Sequence, residues 1–290
     1  MKRVIPGIVM ALAWGAVLFL APPWLFWLVI VLGAAIGLSE YLRMTLPDLS
    51  NPHPDTSGQQ GDESRKQQAG TAPGFHIKFV RLATLAVSLL PVLFTCFPAP
   101  DAVLGGAFAA LFGLILLVFL RYSRLDDVLG FLSRAGLGVL YIGICAAHVV
   151  LLRNLPHGVS WLAVLTAVTV GSDTGAYYAG RRFGRTKLCP NISPGKTVAG
   201  AVGGLLAGSL AAALVAALLP SGPSPWLALV LGMVLVPVGI AGDLAESIIK
   251  RATGTKDSGT ILAGHGGLLD RIDSLLLTAP VLYYLLAGVA

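Results

Sequence analysis

The chain has 290 residues, 56% of them hydrophobic and 12% charged, and a mean hydropathy of +0.81. A soluble globular domain carries about 25% charged residues, so this composition excludes one and points to an integral membrane protein. The net charge of +6 and the pI near 9.4 suit anionic lipid head groups better than nucleic acid, because the basic residues flank apolar runs.

In chain order, nine apolar runs are long enough to cross about 30 Å of hydrocarbon as helices, which satisfy their own backbone hydrogen bonds there. They lie near 4–20, 22–42, 78–98, 102–120, 136–152, 159–180, 198–219, 225–247 and 272–289. The expected fold class is therefore all-α and polytopic, with about nine transmembrane helices. Only Ala21-Pro22-Pro23 divides the first two runs. The opening run reads as an uncleaved anchor and not a cleaved signal peptide, since a second apolar run follows at once. With nine spans, the N-terminus and the even-numbered connections share one side. Nineteen of the twenty Lys and Arg residues fall on that side, and Arg153 alone falls opposite. The positive-inside rule then predicts a cytoplasmic N-terminus.

Residues 46–74 are polar and rich in Pro, Gly, Ser and Gln, which predicts a flexible cytoplasmic loop. Over 121–134, Leu125, Val128, Leu129 and Leu132 recur at helical spacing among charges, which predicts an interfacial helix. Cys96, Cys145 and Cys189 stand at no metal-ligand spacing and read as free structural thiols. Before residue 155 the spans hold almost nothing ionisable apart from Glu40 and His148. After it, Asp173 sits in the sixth span and Asp243 and Glu246 in the last turns of the eighth, each followed by a polar, Gly-rich loop. Residues 1–155 are thus expected to be a transmembrane scaffold and 156–290 a catalytic transmembrane domain. No internal repeat is visible, and the acids gather at one interface and not at mid-membrane, which argues against an inverted-repeat transporter.

A carboxylate in hydrocarbon is costly and usually lines a polar cavity. Asp243 and Glu246 are three apart, on one face of the eighth span, and Ser247 adjoins them; Asp270 and Asp273 repeat the spacing at the start of the ninth. Two roles fit these acids. They could hold a divalent metal through hard oxygen ligands. They could instead pair with Lys250 or Arg251 one turn along and cap the ninth helix. The stretch Gly264-His265-Gly266-Gly267 adds backbone that an anion can approach closely, next to a helix start that favours phosphate. Lys250, Arg251, Lys256 and Arg271 bring four cations to the same loop. Together these features describe a nucleotide or polyphosphate site, with His265 a proton donor, a phosphate hydrogen-bonder or a solvated bystander.

The loop after the sixth span has matching chemistry, from Asp173 through a basic cluster to Ser193, Lys196 and Thr197. Its Pro-Gly-Lys-Thr, residues 194–197, is not a P-loop, because the first glycine of that motif would fall on Pro190. Tyr177 and Tyr178 fit an interfacial aromatic belt.

The run SIIKRATGTKDSGTILAGHGGLLDRID, Ser247 to Asp273, resembles the complete signature of the phosphatidate cytidylyltransferases, also called CDP-diacylglycerol synthases. SDTGAYYAGRRFG (172–184), ISPGKT (192–197) and the opening KRVIPG are similar to the same family. Gly195 and Ala199 depart from its usual lysine and glutamate, so the resemblance carries no role over to those two positions. The resemblance implies transfer of the cytidylyl group of CTP to phosphatidate, with Mg²⁺ and compatibly a second cation. On that basis Asp243 and Asp270 are expected to bind metal, with Glu246 and Asp273 as outer or additional ligands. Lys250, Arg251, Lys256 and Arg271 would hold phosphates, with Ser193, Lys196 and Thr197 as the opposing wall. Ser247, Asp257, Gly264, Gly266 and Gly267 fall on the substrate side of the signature, Asp173 orients a basic residue or second cation, and His265 positions substrate. The expected partners are CTP, phosphatidic acid and the lipid bilayer, with a homodimer compatible and no nucleic acid. The expected location is the bacterial cytoplasmic (inner) membrane, with the site facing the cytoplasm.

Overall fold

The computed structural model describes residues 4–46, 73–99, 101–122, 125, 127–220, 222–259 and 266–288. The loop expected over 46–74 lies almost wholly outside these residues, and so do the site candidates Gly264 and His265. In order, the elements are α1 (Val4–Leu20), α2 (Pro23–Thr45), α3 (Pro73–Ser88), α4 (Leu90–Phe94), α5 (Ala102–Arg121) and α6 (Val128–Gly138). A π-helical turn (Val139–Ile144) then leads into α7 (Cys145–Asn154) and α8 (Gly158–Phe183). The strands β1 (Lys187–Cys189) and β2 (Ser193–Thr197) precede α9 (Val198–Leu218), α10 (Pro225–Ala252) and α11 (Leu269–Ala287). Among the described residues, five stretches are long and apolar enough to cross a membrane by length and composition: α2, α5, the continuous helix Val128–Asn154, α9 and α10. The architecture is that of an α-helical integral membrane protein.

Local chemistry sets several boundaries. Pro23 and Pro225 open α2 and α10, where a missing N–H costs nothing. The Thr197 hydroxyl accepts the Gly200 N–H at 3.1 Å and caps α9, and the Asp127 carboxylate does the same for α6 from Gly130 at 2.7 Å. Pro91 lies just past the break between α3 and α4, where a proline cannot donate to the preceding turn.

Two features differ from the sequence expectation. A two-stranded antiparallel hairpin interrupts the helices, pairing Lys187 with Thr197 and Cys189 with Ser193 around a Pro190-Asn191-Ile192 turn. Residues 121–134 do not form one separate helix: Arg121 ends α5, and Val128 begins a helix that runs on to Asn154.

Three buried clusters hold the helices together. One joins Leu162, Leu165 and Val168 of α8 to Ala212 of α9, Leu235 and Val236 of α10 and Leu282 of α11. A second joins Leu38, Tyr41 and Leu42 of α2 to Ile142, Ala146, Ile249 of α10, and Leu269 and Leu276 of α11. The third packs Ala110, Leu114 and Leu117 of α5 on Phe131 and Ala135 of α6. The second cluster matters for function, because it seats α2, from the expected scaffold, directly against the helix that carries Asp270 and Asp273.

Candidate active site

The acids predicted to face one another do so. Asp243, Glu246 and Asp273 each offer a carboxylate oxygen, and these atoms lie within 4.8 Å of one another. Glu246 and Asp273 are buried, at 1% and 7% exposure, and Asp243 is half-buried. Helical spacing explains the gathering: residues three apart project from one face of α10, and α11 packs beside it with its own acids turned inward. The Glu246 Oε1 atom is buried with no hydrogen-bond partner. A buried carboxylate oxygen left orphaned among two other acids is costly without a cation. Hard oxygen donors with one coordination position unspent fit a divalent metal ion.

Two lysines stand against this cluster. Lys196, from β2, places its Nζ 2.7 Å from Asp243 Oδ2 and donates to the Ile240 carbonyl at 3.4 Å. Lys250 bridges α10 and α11, its Nζ 2.6 Å from Glu246 Oε2 and 2.7 Å from Asp270 Oδ1. Four carboxylates thus gather here with two ammonium groups in direct contact, an acidic excess that suits a cation.

Asp270 is not among the three acids whose oxygens share that distance, and donors from its own chain reach both its oxygens. Besides Lys250 on Oδ1, its Oδ2 accepts the Ser258 N–H at 3.1 Å, the Ser258 hydroxyl at 2.9 Å and the Gly267 N–H at 2.8 Å. So many donors favour the ionised carboxylate. Gly266 sits at φ +80°, and a Cβ there would lie 2.8 Å from Asp270 Oδ2, so both conformation and space demand glycine. Asp273 Oδ1 accepts the Ser274 N–H at 2.6 Å. Pairing and metal-compatible geometry thus coexist: Lys250 neutralises Glu246 one turn away through Oε2, while Glu246 Oε1 stays buried without a partner.

A cleft of about 480 Å³ opens beside these groups between α8, α9, α10 and the hairpin. Asp173, Tyr177, Arg181, Lys196, Thr197 and Asp243 give it a polar end, and Val168, Leu235, Val236 and Ile240 an apolar wall. A volume of that order holds a small ligand. Thr197 lines the cleft, but its hydroxyl oxygen is also the α9 cap. Ser193 lies at the start of β2, opposite Cys189, and Arg251 reaches the hairpin instead of the acids, its Nε 3.5 Å from the Ile192 carbonyl. Ser247 is half-buried on α10, Lys256 and Asp257 are exposed on the loop that follows, and Arg271 is exposed on the first turn of α11.

Three residues at the site were not predicted for it. Tyr141 donates to the Gly242 carbonyl at 3.2 Å and steadies α10 beside Asp243. Ser258 is a donor to Asp270. Glu40 of α2, 1% exposed, accepts the Leu268 and Leu269 N–H groups at 3.0 and 2.9 Å. The sequence signal for Glu40 was its position as an acid inside an otherwise apolar run.

Comparison with known proteins adds independent findings. The family model described as "Cytidylyltransferase family" matches residues 65–289. The phosphatidate cytidylyltransferase of Bacillus subtilis is 36% identical over 214 residues, covering 72% of this chain and 77% of its own. The protein of that name from Brucella suis is 45% identical over 147 residues, 50% of this chain and 54% of its own. The one from Pseudomonas aeruginosa is 46% identical over 154 residues, 53% of this chain and 57% of its own. The last two alignments span a little over half the length of those relatives.

Proposed function

The chain belongs to the cytidylyltransferase family, and on that premise we propose that it transfers the cytidylyl group of CTP to phosphatidic acid, giving CDP-diacylglycerol and pyrophosphate. The observation that carries the mechanism is the acid cluster Asp243, Glu246 and Asp273 with its orphaned Glu246 Oε1, set beside Lys196 and Lys250. Asp243, Glu246 and Asp273 would hold a divalent cation, taken here as Mg²⁺, with Asp270 behind Lys250 as the next carboxylate. What such a cation supplies when bound is neutralisation of phosphate charge at the reacting centre.

The chain's own groups account for the rest. Lys196 and Lys250 present ammonium groups from opposite sides of the acids, and phosphate oxygens of the substrates can compete for both. Lys256, Arg251 and Arg271, exposed around the same loop, supply further cations for the triphosphate. The apolar wall of the cleft suits an acyl chain, and its polar end with Asp173, Tyr177 and Arg181 suits a head group. A phosphatidate oxygen forms a bond to the α-phosphorus of CTP while the bond from that phosphorus to the α–β bridging oxygen breaks. The electron pair leaves with pyrophosphate. The attacking phosphate is already ionised, so no strong general base is needed. The site is taken to face the cytoplasm of a bacterial inner membrane, where CTP is available.

Position-specific labelling tests this. With purified protein in detergent, phosphatidate and Mg²⁺, α-labelled CTP should yield labelled lipid and γ-labelled CTP should yield labelled pyrophosphate. Lipid labelled from the γ position, with CDP released, would identify a kinase and overturn the proposal.

A further inference from the structure

We infer that Glu40 is a positioning residue for the reaction: from α2 it accepts the backbone N–H groups at the start of α11 and packs against Ser258 and Gly259 of the preceding loop, and so sets where the first turn of α11, with Asp270 and Asp273, stands. Its two oxygens divide the work. Oε1 accepts the Leu268 N–H at 3.0 Å and Oε2 the Leu269 N–H at 2.9 Å, two of the donors that a helix start leaves without intrahelical partners. The positive end of α11 favours the carboxylate in return. Earlier in the loop, the Ser258 hydroxyl donates to Asp270 Oδ2 at 2.9 Å and lies 3.4 Å from Glu40 Oε2, so this side chain sits between the two carboxylates.

Backbone packing makes the fit close. A Cβ on Gly259 would lie 2.6 Å from Glu40 Oε1, and one on Gly267 would lie 2.6 Å from Glu40 Oε2. Neighbours on α2 fix the carboxylate in turn: Leu38, Tyr41 and Leu42 are at most 1% exposed, and the Tyr41 hydroxyl donates to the Arg134 carbonyl at 2.8 Å. Removing Glu40 would leave two backbone donors buried without partners, and the first turn of α11 would fray. Asp270 would then lose its alignment with Lys250, and Asp273 its place beside Asp243 and Glu246. Glu40 touches neither substrate nor cation in this account; it acts through α11.

The role presumes the transferase activity proposed above, and two readouts keep the two claims apart. Hydrogen exchange on purified protein in detergent reports the positioning directly, and turnover reports its consequence. In Glu40→Gln, amides of 266–270 should exchange roughly ten-fold faster or more, while α9 and α10 keep wild-type exchange. The same variant should lose roughly 10- to 100-fold in kcat, as when a supporting partner of a site is removed. Gly259→Ala, which presses a methyl on Glu40 without touching its charge, should reproduce both effects and should add nothing in a Glu40→Ala background. Unchanged exchange at 266–270, a uniform rise that includes α9 and α10, or losses that simply add in the double variant would each overturn the inference. If wild-type protein makes no CDP-diacylglycerol, the proposed activity fails, and the exchange result still decides the role of Glu40.

Discussion

Lys196 Nζ, on the last strand of the hairpin, lies 2.7 Å from Asp243 Oδ2 on α10 and joins two motifs that are 47 residues apart in the chain. The contact places the hairpin over the acids and leaves the ammonium at the polar end of the cleft. Lys196→Met would strip a charged donor from the place where the proposed reaction puts substrate phosphate. The expected outcome is a fall of roughly 100-fold or more in kcat/KM for CTP, with the protein still monodisperse. Steady-state kinetics in detergent check it, and wild-type values would remove Lys196 from the site.

Lys250 touches Glu246 and Asp270 together, so it holds α10 to α11 as an internal cation. Lys250→Met leaves two acids facing each other with no ammonium between them, a defect on the scale of about 3 kcal/mol. The variant should melt lower than wild type without metal and should be stabilised more by added Mg²⁺, because cation and lysine no longer compete. Thermal melts with and without Mg²⁺ read this out. An equal metal-induced shift in both proteins would mean that Lys250 and the cation do not share these carboxylates.

Glu246 belongs to the acid cluster and carries a buried oxygen, Oε1, without a hydrogen-bond partner. Glu246→Gln keeps the shape and removes the charge. The Mg²⁺ concentration for half-maximal activity should rise roughly 10- to 100-fold. A metal titration of initial rate checks this, and an unchanged midpoint would take Glu246 out of the metal site.

Gly266→Ala tests the loop. At φ +80° a side chain is strained by about 1–3 kcal/mol, and its Cβ would press on Asp270 Oδ2. Activity should fall by roughly ten-fold or more, while Gly254→Ala, at φ +67° with open space around it, should share the strain without the contact and keep turnover closer to wild type.

Much of this site was legible from spacing alone. Asp243 and Glu246, and Asp270 and Asp273, stand three apart in helices whose other residues are mainly apolar, so a common face followed from helical geometry. The partners that cross between elements were not legible. The Lys250–Glu246 pair, one turn along α10, is legible as one of the two roles open to these acids, but periodicity does not reveal that Lys250 also meets Asp270 on the next helix or that Lys196 of the hairpin meets Asp243. Glu40 is 228 residues from the Leu268 N–H it accepts, and nothing local in α2 announces that contact. The hairpin escaped notice because its strands are three and five residues long and one carries Pro194 and Gly195, both unfavourable in strands. Over 121–134 amphipathic spacing suggests one helix, because spacing does not reveal where a chain turns, here between Arg121 and Val128.

The central claim is that the carboxylates of α10 and α11 work with a divalent cation to move a cytidylyl group. The most direct measurement is formation of labelled CDP-diacylglycerol from α-labelled CTP and phosphatidate by wild-type, Asp243→Asn and Asp270→Asn protein, with Mg²⁺ and with EDTA. Wild type should form product with Mg²⁺, and none should form from wild type with EDTA or from either variant, though both variants fold. Wild-type turnover that survives EDTA, or full activity in both variants, would contradict that claim.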